Sequence, residues 1–177
     1  MTGATDEQLM QAVAGGDLDA FNELVLRYQG LAWRMAYRFL GDAMEAEDVA
    51  QESFLKILEA ARRYRPMAAF RTYFYGVLTH LCIDRTRKKQ FTSMDDIPEV
   101  VDPSLSPAEI IIDKELRTQV RTALDSLPSN QKTAMILRHY EGLSYVEIAQ
   151  VMGVTPKAVE RLISRAGTSL QARLSHL

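Results

Sequence analysis

The chain has 177 residues, of which 47% are hydrophobic, and its formal net charge at pH 7 is −2. This composition can build one or two small domains, and the single cysteine, Cys82, excludes a disulfide framework. No apolar run reaches the length of a membrane span, and the N-terminal residues MTGATDEQ lack the basic-then-apolar pattern of a signal peptide. We therefore expect a cytoplasmic protein.

Helical periodicity dominates the first ninety residues. Between Asp17 and Cys82 the hydrophobic residues recur about every 3.6 positions, which indicates amphipathic helices. After a loop over residues 65–69, Phe70, Phe74 and Cys82 are predicted to enter the core. The four predicted helices begin at about Thr5, Asp17, Asp42 and Phe70. The third helix is predicted to turn inward Ala46, Val49, Ala50, Phe54, Ile57, Leu58 and Ala61.

A turn-rich acidic stretch over residues 91–106, with Pro98 and Pro103 inside it, follows these helices. We interpret it as a flexible interdomain linker. No convincing strand pattern appears on either side of it. The predicted fold is therefore all-α, with one small helical domain over residues 1–90 and a second over residues 107–177.

The second domain begins with a helix and continues, after Pro128, with a shorter one. The stripe of the first of these helices is predicted to be Leu116, Val120, Ala123, Leu124 and Leu127. The shorter helix is predicted to turn inward Ile136, Leu137 and Tyr140.

The segment Gly142 to Ala166 has the spacing of a helix-turn-helix. Ser144 with Glu147 forms a capping box, and Gly153 supplies a left-handed residue at the helix end. The second helix begins with the N-cap Thr155 followed by Pro156. Its inward face is predicted to be Ala158, Val159, Leu162, Ile163, Ala166 and Leu170, and its outward face Lys157, Glu160, Arg161, Ser164, Arg165 and Thr168. Such a helix can enter the major groove of DNA; the alternative is an ordinary helical hairpin with a solvated polar face.

Charge is unevenly distributed along the first domain. The segment from Ala60 to Phe91 is basic, with Asp84 as its single acidic residue, whereas the preceding helix carries acidic residues against Lys56 alone. This separation predicts one surface for phosphate and another for a basic protein partner. Because the net charge is slightly negative, we expect the chain alone to bind DNA weakly.

Enzymatic interpretations find little support in the residues. His80 and Cys82 stand two positions apart on a predicted helix, so they do not face each other. The chain has too few histidines and cysteines for an ordinary zinc site and no glycine-rich phosphate loop. We expect no catalytic residue, no metal and no cofactor.

Two segments carry a family resemblance. The run from Glu45 to Lys89, which includes EAEDVAQESF and DRTRKK, resembles region 2 of extracytoplasmic-function (ECF) sigma factors of the sigma-70 family. The run from Leu124 to Ala166, which includes the helix-turn-helix, resembles their region 4. The resemblance implies a non-enzymatic sigma factor that binds core RNA polymerase and directs promoter-specific initiation of transcription.

The resemblance also implies roles for particular residues. The set that would dock on the clamp helices of the largest polymerase subunit is Glu47, Asp48, Gln51, Glu52 and Leu55; by spacing alone it would be a solvated face. The set that would bind the minus-ten promoter element, by stacking on unpaired bases and contacting phosphates, is Arg62, Arg63, Tyr64, Arg65, Arg71, Tyr73, His80, Arg87 and Lys88. The set that would bind the minus-thirty-five element is Ser144, Thr155, Pro156, Lys157, Arg161, Ser164 and Arg165.

This sequence departs from the family pattern at a few of these positions. Tyr73 stands where the family commonly has Trp, and the tyrosine keeps an aromatic ring that can stack on a base. His80 stands where the family often has Asn. Arg161 and Leu162 stand where many members have Ser and Arg, so the family's minus-thirty-five specificity does not transfer.

The partners that the resemblance implies are core polymerase, including the flap of its second-largest subunit, promoter DNA, and an anti-sigma factor. Many such anti-sigma factors are anchored in the membrane, and this partner would hold the protein there. No small-molecule substrate is implied. Two alternatives remain open: a sigma-like decoy that binds an anti-sigma factor without recognising DNA, and a free helix-turn-helix repressor.

Overall fold

The computed structural model describes residues 3–89 and 107–175. The chain divides into two compact units, Met1–Asp95 and Asp96–Leu177. The described residues are helices joined by short turns, without a strand, so the predicted all-α fold with two helical domains is confirmed. The proposed linker over residues 91–106 lies outside the described residues, and its limits stay a prediction.

The N-terminal unit contains four α-helices within its described residues. A 3-10 turn, Ala61–Arg63, and a loop separate the third helix from the fourth. The side chains of Thr5, Asp17 and Asp42 accept backbone N–H groups at the first three helix starts, as predicted. The helices are α1 (Asp6–Ala14), α2 (Leu18–Leu40), α3 (Ala43–Ala60) and α4 (Phe70–Lys89).

An aromatic cluster forms the centre of this unit. Phe70 and Phe74, both buried as predicted, make T-shaped contacts with the Tyr28 ring at centroid distances of 5.2 and 5.3 Å. Phe74 also stacks on Phe54 at 5.4 Å. Cys82 is buried, in agreement with its predicted core role. The prediction for Leu58 is wrong: its side chain is 39% exposed, because it lies at the edge of the apolar face of α3, between the directions of the buried Phe54 and the exposed Leu55.

The C-terminal unit has four more α-helices in its described part, α5 (Pro107–Asp125), α6 (Ser129–Met135), α7 (Tyr145–Met152) and α8 (Pro156–Leu174). A π-helical turn, Ile136–Tyr140, continues α6. One core cluster joins α5, α6 and α8 through Leu124, Leu127 and Ala166, with Val120, Met135 and Leu170 packed against them.

Two residues of this unit are more exposed than predicted. Ile136 and Leu137 are buried as expected, but Tyr140 is 46% exposed. The Glu141 N–H donates to the Ile136 carbonyl at 3.2 Å, five residues back, so the wider π turn rotates Tyr140 away from the core. Leu116 is 49% exposed, because α5 packs against the rest of the unit through its C-terminal half.

The helix-turn-helix has the predicted geometry. Ser144 and Glu147 close a capping box at the start of α7, and Gly153 ends that helix with φ of 68°, in the left-handed region. The Thr155 hydroxyl accepts the Ala158 N–H at 3.1 Å at the start of α8. Val159 is fully buried between the two helices. Capping, turn and packing residues therefore fix the angle between α7 and α8 together.

We expect Gly153→Ala to lower the free energy of unfolding by about 1 kcal/mol, because a Cβ strains a left-handed backbone. The matched control is Gly167→Ala: Gly167 lies within α8, and no atom outside the helix's own backbone lies within 4 Å of the added Cβ. That change should stabilise the helix by up to about 1 kcal/mol. Chemical denaturation of both variants measures the difference, and destabilisation of equal size by the two changes would contradict this account of Gly153.

Candidate protein and nucleic-acid interfaces

An exposed stripe runs along the outer side of α3. Its predicted members Glu47, Asp48 and Gln51 are exposed, and Leu55 is 58% exposed. The spacing of the stripe is helical, so these side chains lie on one face, as predicted. Sequence reasoning missed the two apolar residues at its ends, which the same spacing could have found. We call the acidic stripe the set Met44, Glu47, Asp48, Gln51, Leu55 and Leu58.

Glu52, also predicted to bind polymerase, is engaged within the N-terminal unit. Arg85 on α4 binds Glu45 and Glu52 through its two terminal nitrogens, at 2.7 and 3.2 Å. The hydrogen bond to Glu45, followed by that to Glu52, raises the pKa of Arg85. Arg85 thus holds α3 against α4. Glu45 and Glu52 precede Arg85 by 40 and 33 positions in the sequence, so no local pattern predicts these ion pairs.

Tyr64 and Tyr73 form an aromatic pair beside the loop that precedes α4. Their ring centroids lie 5.2 Å apart, and both side chains are partly buried. Burial raises the pKa of each hydroxyl above its ordinary value. The Tyr64 hydroxyl is buried and finds no hydrogen-bond partner among the described residues. Each side chain is therefore only partly accessible to solvent.

The loop from Tyr64 to Ala69 makes a tight turn next to this pair. The Met67 N–H donates to the Arg65 carbonyl at 2.8 Å across Pro66, and the Met67 side chain is 93% exposed. Sequence reasoning missed Met67, although an apolar residue directly after a loop proline is a usable signal. The turn exposes a long apolar side chain in the loop that begins at Tyr64.

The predicted basic residues fall into separate groups. Arg62, Arg63 and Arg65 are exposed around the loop. The positive charge of Arg63 partly opposes the increase that burial causes in the pKa of Tyr73. His80 and Arg87 are also exposed. Because Tyr73, His80 and Arg87 follow one another at intervals of seven residues, or about two turns, they share one face of α4.

Arg71 and Lys88 are exposed but do not share that face. Arg71 stands two residues before Tyr73, which places it on the far side of the helix. Its guanidinium donates to the Tyr75 hydroxyl at 3.1 Å and lies 5.5 Å from the centre of that ring. Arg71 is thus separated from the Tyr64–Tyr73 pair.

The second helix of the helix-turn-helix, α8, exposes a polar face. Every predicted outward residue is exposed, and Lys157 pairs with Glu160 at 3.2 Å. Pro156 is exposed at the helix start. The hydroxyls of Ser144 and Thr155 already accept backbone N–H groups as helix caps. Arg161, Ser164 and Arg165 are therefore better placed to donate hydrogen bonds to a ligand than the two capping residues are.

Within the ranges 3–89 and 107–175, no helix is long and apolar enough to cross a membrane. In the same part of the chain, no three histidine, cysteine, aspartate or glutamate side chains are grouped so that they could hold a metal ion.

Two protein-family models match the chain. Sigma-70 region 2 matches residues 24–92, which begin within α2 and include α3 and α4, and Sigma-70, region 4, matches residues 117–168, which include the helix-turn-helix. The chain therefore belongs to the sigma-70 family of RNA polymerase sigma factors.

The relatives and solved structures define its place in the family. The chain is 35% identical to the RNA polymerase sigma-H factor of Pseudomonas aeruginosa, with 100% of this chain and 97% of that protein covered. It is 32% identical to the ECF RNA polymerase sigma factor SigE of Mycolicibacterium smegmatis, with 97% of this chain and 70% of SigE covered. The structure of CnrH in complex with the cytosolic domain of CnrY has a TM-score of 0.73 and 25% identity, with 97% of both chains covered. Within its family the protein is an ECF sigma factor, which binds core RNA polymerase and directs promoter-specific initiation of transcription.

Proposed function

We propose that the N-terminal unit binds polymerase and opens promoters through two different surfaces. The observation that supports this most is their separation: the acidic stripe on α3 and the Tyr64–Tyr73 pair with its arginines belong to different elements of one compact unit. Arg85 holds α3 to α4. Binding of polymerase to the acidic stripe would therefore also position the Tyr64–Tyr73 pair relative to the polymerase. The protein would act as a dissociable specificity subunit, without catalysis, a cofactor or a small-molecule substrate.

The acidic stripe would bind the clamp helices of the largest polymerase subunit. Asp48 and Glu47 offer carboxylates to a basic surface, and Leu55 offers an apolar contact on the same face. Charge complementarity of this kind guides association and sets orientation. Glu52 would contribute by keeping Arg85 in place rather than by direct contact alone.

The Tyr64–Tyr73 pair would bind the opened strand of the minus-ten element. An unpaired base can stack on a ring whose other side is held by the protein, while Arg62, Arg63 and Arg65 contact phosphates. His80 and Arg87 would extend this path along α4, and Lys88 would add positive charge near its end. Arg71 would contribute through its packing on Tyr75.

The helix-turn-helix would recognise the minus-thirty-five element as duplex DNA. Arg161, Ser164 and Arg165 lie on the exposed face of α8, where side chains can reach base edges in the major groove. Ser144, Thr155 and Pro156 would position backbone groups toward phosphates at the two helix starts. The same unit would also contact the flap of the second-largest polymerase subunit.

We also propose control by an anti-sigma factor. The solved structure of CnrH contains the cytosolic domain of CnrY, and this chain resembles CnrH over 97% of its length. Such a partner, where anchored in a membrane, would hold an otherwise cytoplasmic sigma factor at that membrane until release.

Reversing the charge of the acidic stripe should prevent assembly with core polymerase. We expect the double change Glu47→Lys and Asp48→Lys to lower the affinity for core polymerase, measured by competition, at least about tenfold. Both carboxylates are exposed, and the lysines that replace them would face a basic surface. Glu52 is left intact because its loss would also break the bond to Arg85. The control is Asp19→Lys with Asp84→Lys, an equal change of charge at exposed carboxylates elsewhere in the unit. Equal assembly by both double variants would refute this assignment.

Removing the Tyr73 ring should impair promoter opening without affecting assembly. Tyr73→Ala loses stacking worth about 1–3 kcal/mol on an unpaired base, whereas Tyr73→Phe keeps the ring. Permanganate footprinting of the opened strand and run-off transcription with core polymerase measure the loss. Thermal unfolding checks that the partly buried site stays folded. Normal opening by Tyr73→Ala would show that the strand binds elsewhere.

Two residues of α8 should affect binding to the minus-thirty-five element differently. If Arg161 reaches a base edge, Arg161→Ala should cost about 1–3 kcal/mol and relax the preference at one base pair. If Lys157 contacts only phosphate, Lys157→Ala should weaken all promoters alike and lower the salt slope by about 1. Holoenzyme affinity for a set of single-base promoter variants separates the two effects, and uniform losses for both changes would exclude Arg161 as a base contact.

A further inference from the structure

The first helix, α1, has no role in the function proposed above, and the region 2 family model begins after it, at residue 24. It packs against α2 and against the 3-10 turn Ala61–Arg63. That turn leads directly into the loop from Tyr64 to Ala69. The helix therefore lies beside the proposed minus-ten surface.

The start of α4 is capped by a side chain from α1. The residue before Phe70 is Ala69, whose methyl group cannot accept a hydrogen bond, and the first N–H groups of a helix have no partners within it. Glu7 supplies the missing acceptor: its Oε1 accepts the Phe70 N–H at 2.9 Å, across 63 positions of sequence. A carboxylate at this end also interacts favourably with the helix dipole.

The neighbouring residue, Asp6, fixes α1 against α2. Its carboxylate accepts hydrogen bonds from the Tyr28 hydroxyl and, at 2.9 Å, from Arg27. Arg27 also donates to the Ala4 carbonyl at 2.9 Å. Because Tyr28 packs on Phe70, both carboxylates connect α1 to the start of α4. Glu7 does so directly, through the Phe70 N–H, and Asp6 does so through Tyr28.

We propose that Glu7 is a positioning residue for the minus-ten surface: by capping α4 from α1, it holds Tyr64 and Tyr73 in the arrangement that binds the opened strand. This inference rests on the proposed function, because it assumes that the two tyrosines contact promoter DNA. The loop that carries Tyr64 begins at the turn on which α1 packs and ends at the N–H that Glu7 caps. Burial, followed by the negative charge of Glu7, raises the pKa of Tyr64.

The test measures binding of the opened strand separately from assembly. Full-length variants are assembled with core polymerase, and affinity is measured for a single-stranded DNA that carries the non-template minus-ten sequence of a promoter mapped from transcripts made in vitro. We expect Glu7→Ala to weaken strand binding about fivefold, the scale of a lost helix cap. Glu7→Gln keeps an acceptor oxygen and should stay within about twofold of the unmodified protein. Asp19→Ala, the loss of an exposed carboxylate in the first turn of α2, is the control and should have no effect.

The same experiment with Tyr73→Ala separates this inference from the function on which it rests. If Tyr73→Ala binds the strand normally, the minus-ten surface itself is wrongly assigned. If Tyr73→Ala weakens strand binding and Glu7→Ala does not, the positioning role alone is wrong. Equal losses of strand binding and of polymerase binding by Glu7→Ala would also overturn it, since damage to the whole unit would then explain both. So would a defect in Glu7→Gln as large as that in Glu7→Ala.

Discussion

Phe70 and Phe74 anchor the first turns of α4 in the core of the N-terminal unit, where they meet Tyr28 from α2 and Phe54 from α3. Burial of one such ring is worth about 1.5–3 kcal/mol, and ring-to-ring contacts add to it, so the position of α4 is strongly determined. Tyr73, between the two phenylalanines, is consequently held at the surface in one orientation. The same interaction that builds the core therefore presents the proposed strand-binding ring.

Electrostatics link the two surfaces of this unit. Arg85 stands in the basic run of the sequence, yet its guanidinium is bound to Glu45 and Glu52 on the acidic helix. The three side chains of these ion pairs are partly exposed, so each ion pair contributes modestly to the free energy of unfolding. Their greater effect is geometric, because they fix how α3 and α4 are oriented toward each other. The charges left exposed are then separated by surface, with carboxylates on α3 and guanidinium groups around the loop.

With a net charge of −2, the protein is expected to bind DNA weakly in the absence of its polymerase. Each unit offers a small set of basic side chains, and at physiological ionic strength phosphate contacts of this number give weak binding. A polymerase that holds both units at once would convert two weak contacts into a strong one through effective concentration. The low intrinsic affinity would keep the free protein from occupying promoters without its enzyme.

The sequence by itself determined the features that depend on neighbouring residues. The caps of α1 to α3, α7 and α8, the left-handed Gly153 and the exposed face of α8 follow from local hydrogen bonding and helical periodicity, and they were predicted correctly. Of the predicted inward face of α8, Val159 and Ala166 are buried, and the other four residues are partly buried. Local spacing also put Asp48 and Leu55 on one face of α3. The family resemblance added the partners, which no local pattern contains.

The tertiary structure decided what depends on residues far apart in the chain. Glu52 is bound by Arg85, and α4 is capped by Glu7, because folding brings together groups that no periodicity connects. Tyr140 turned outward because packing selected a π-helical turn where the sequence indicated a continuous α-helix. Local interactions act before folding and can be recognised in the sequence, whereas ion pairs and caps between helices exist only after the helices have packed.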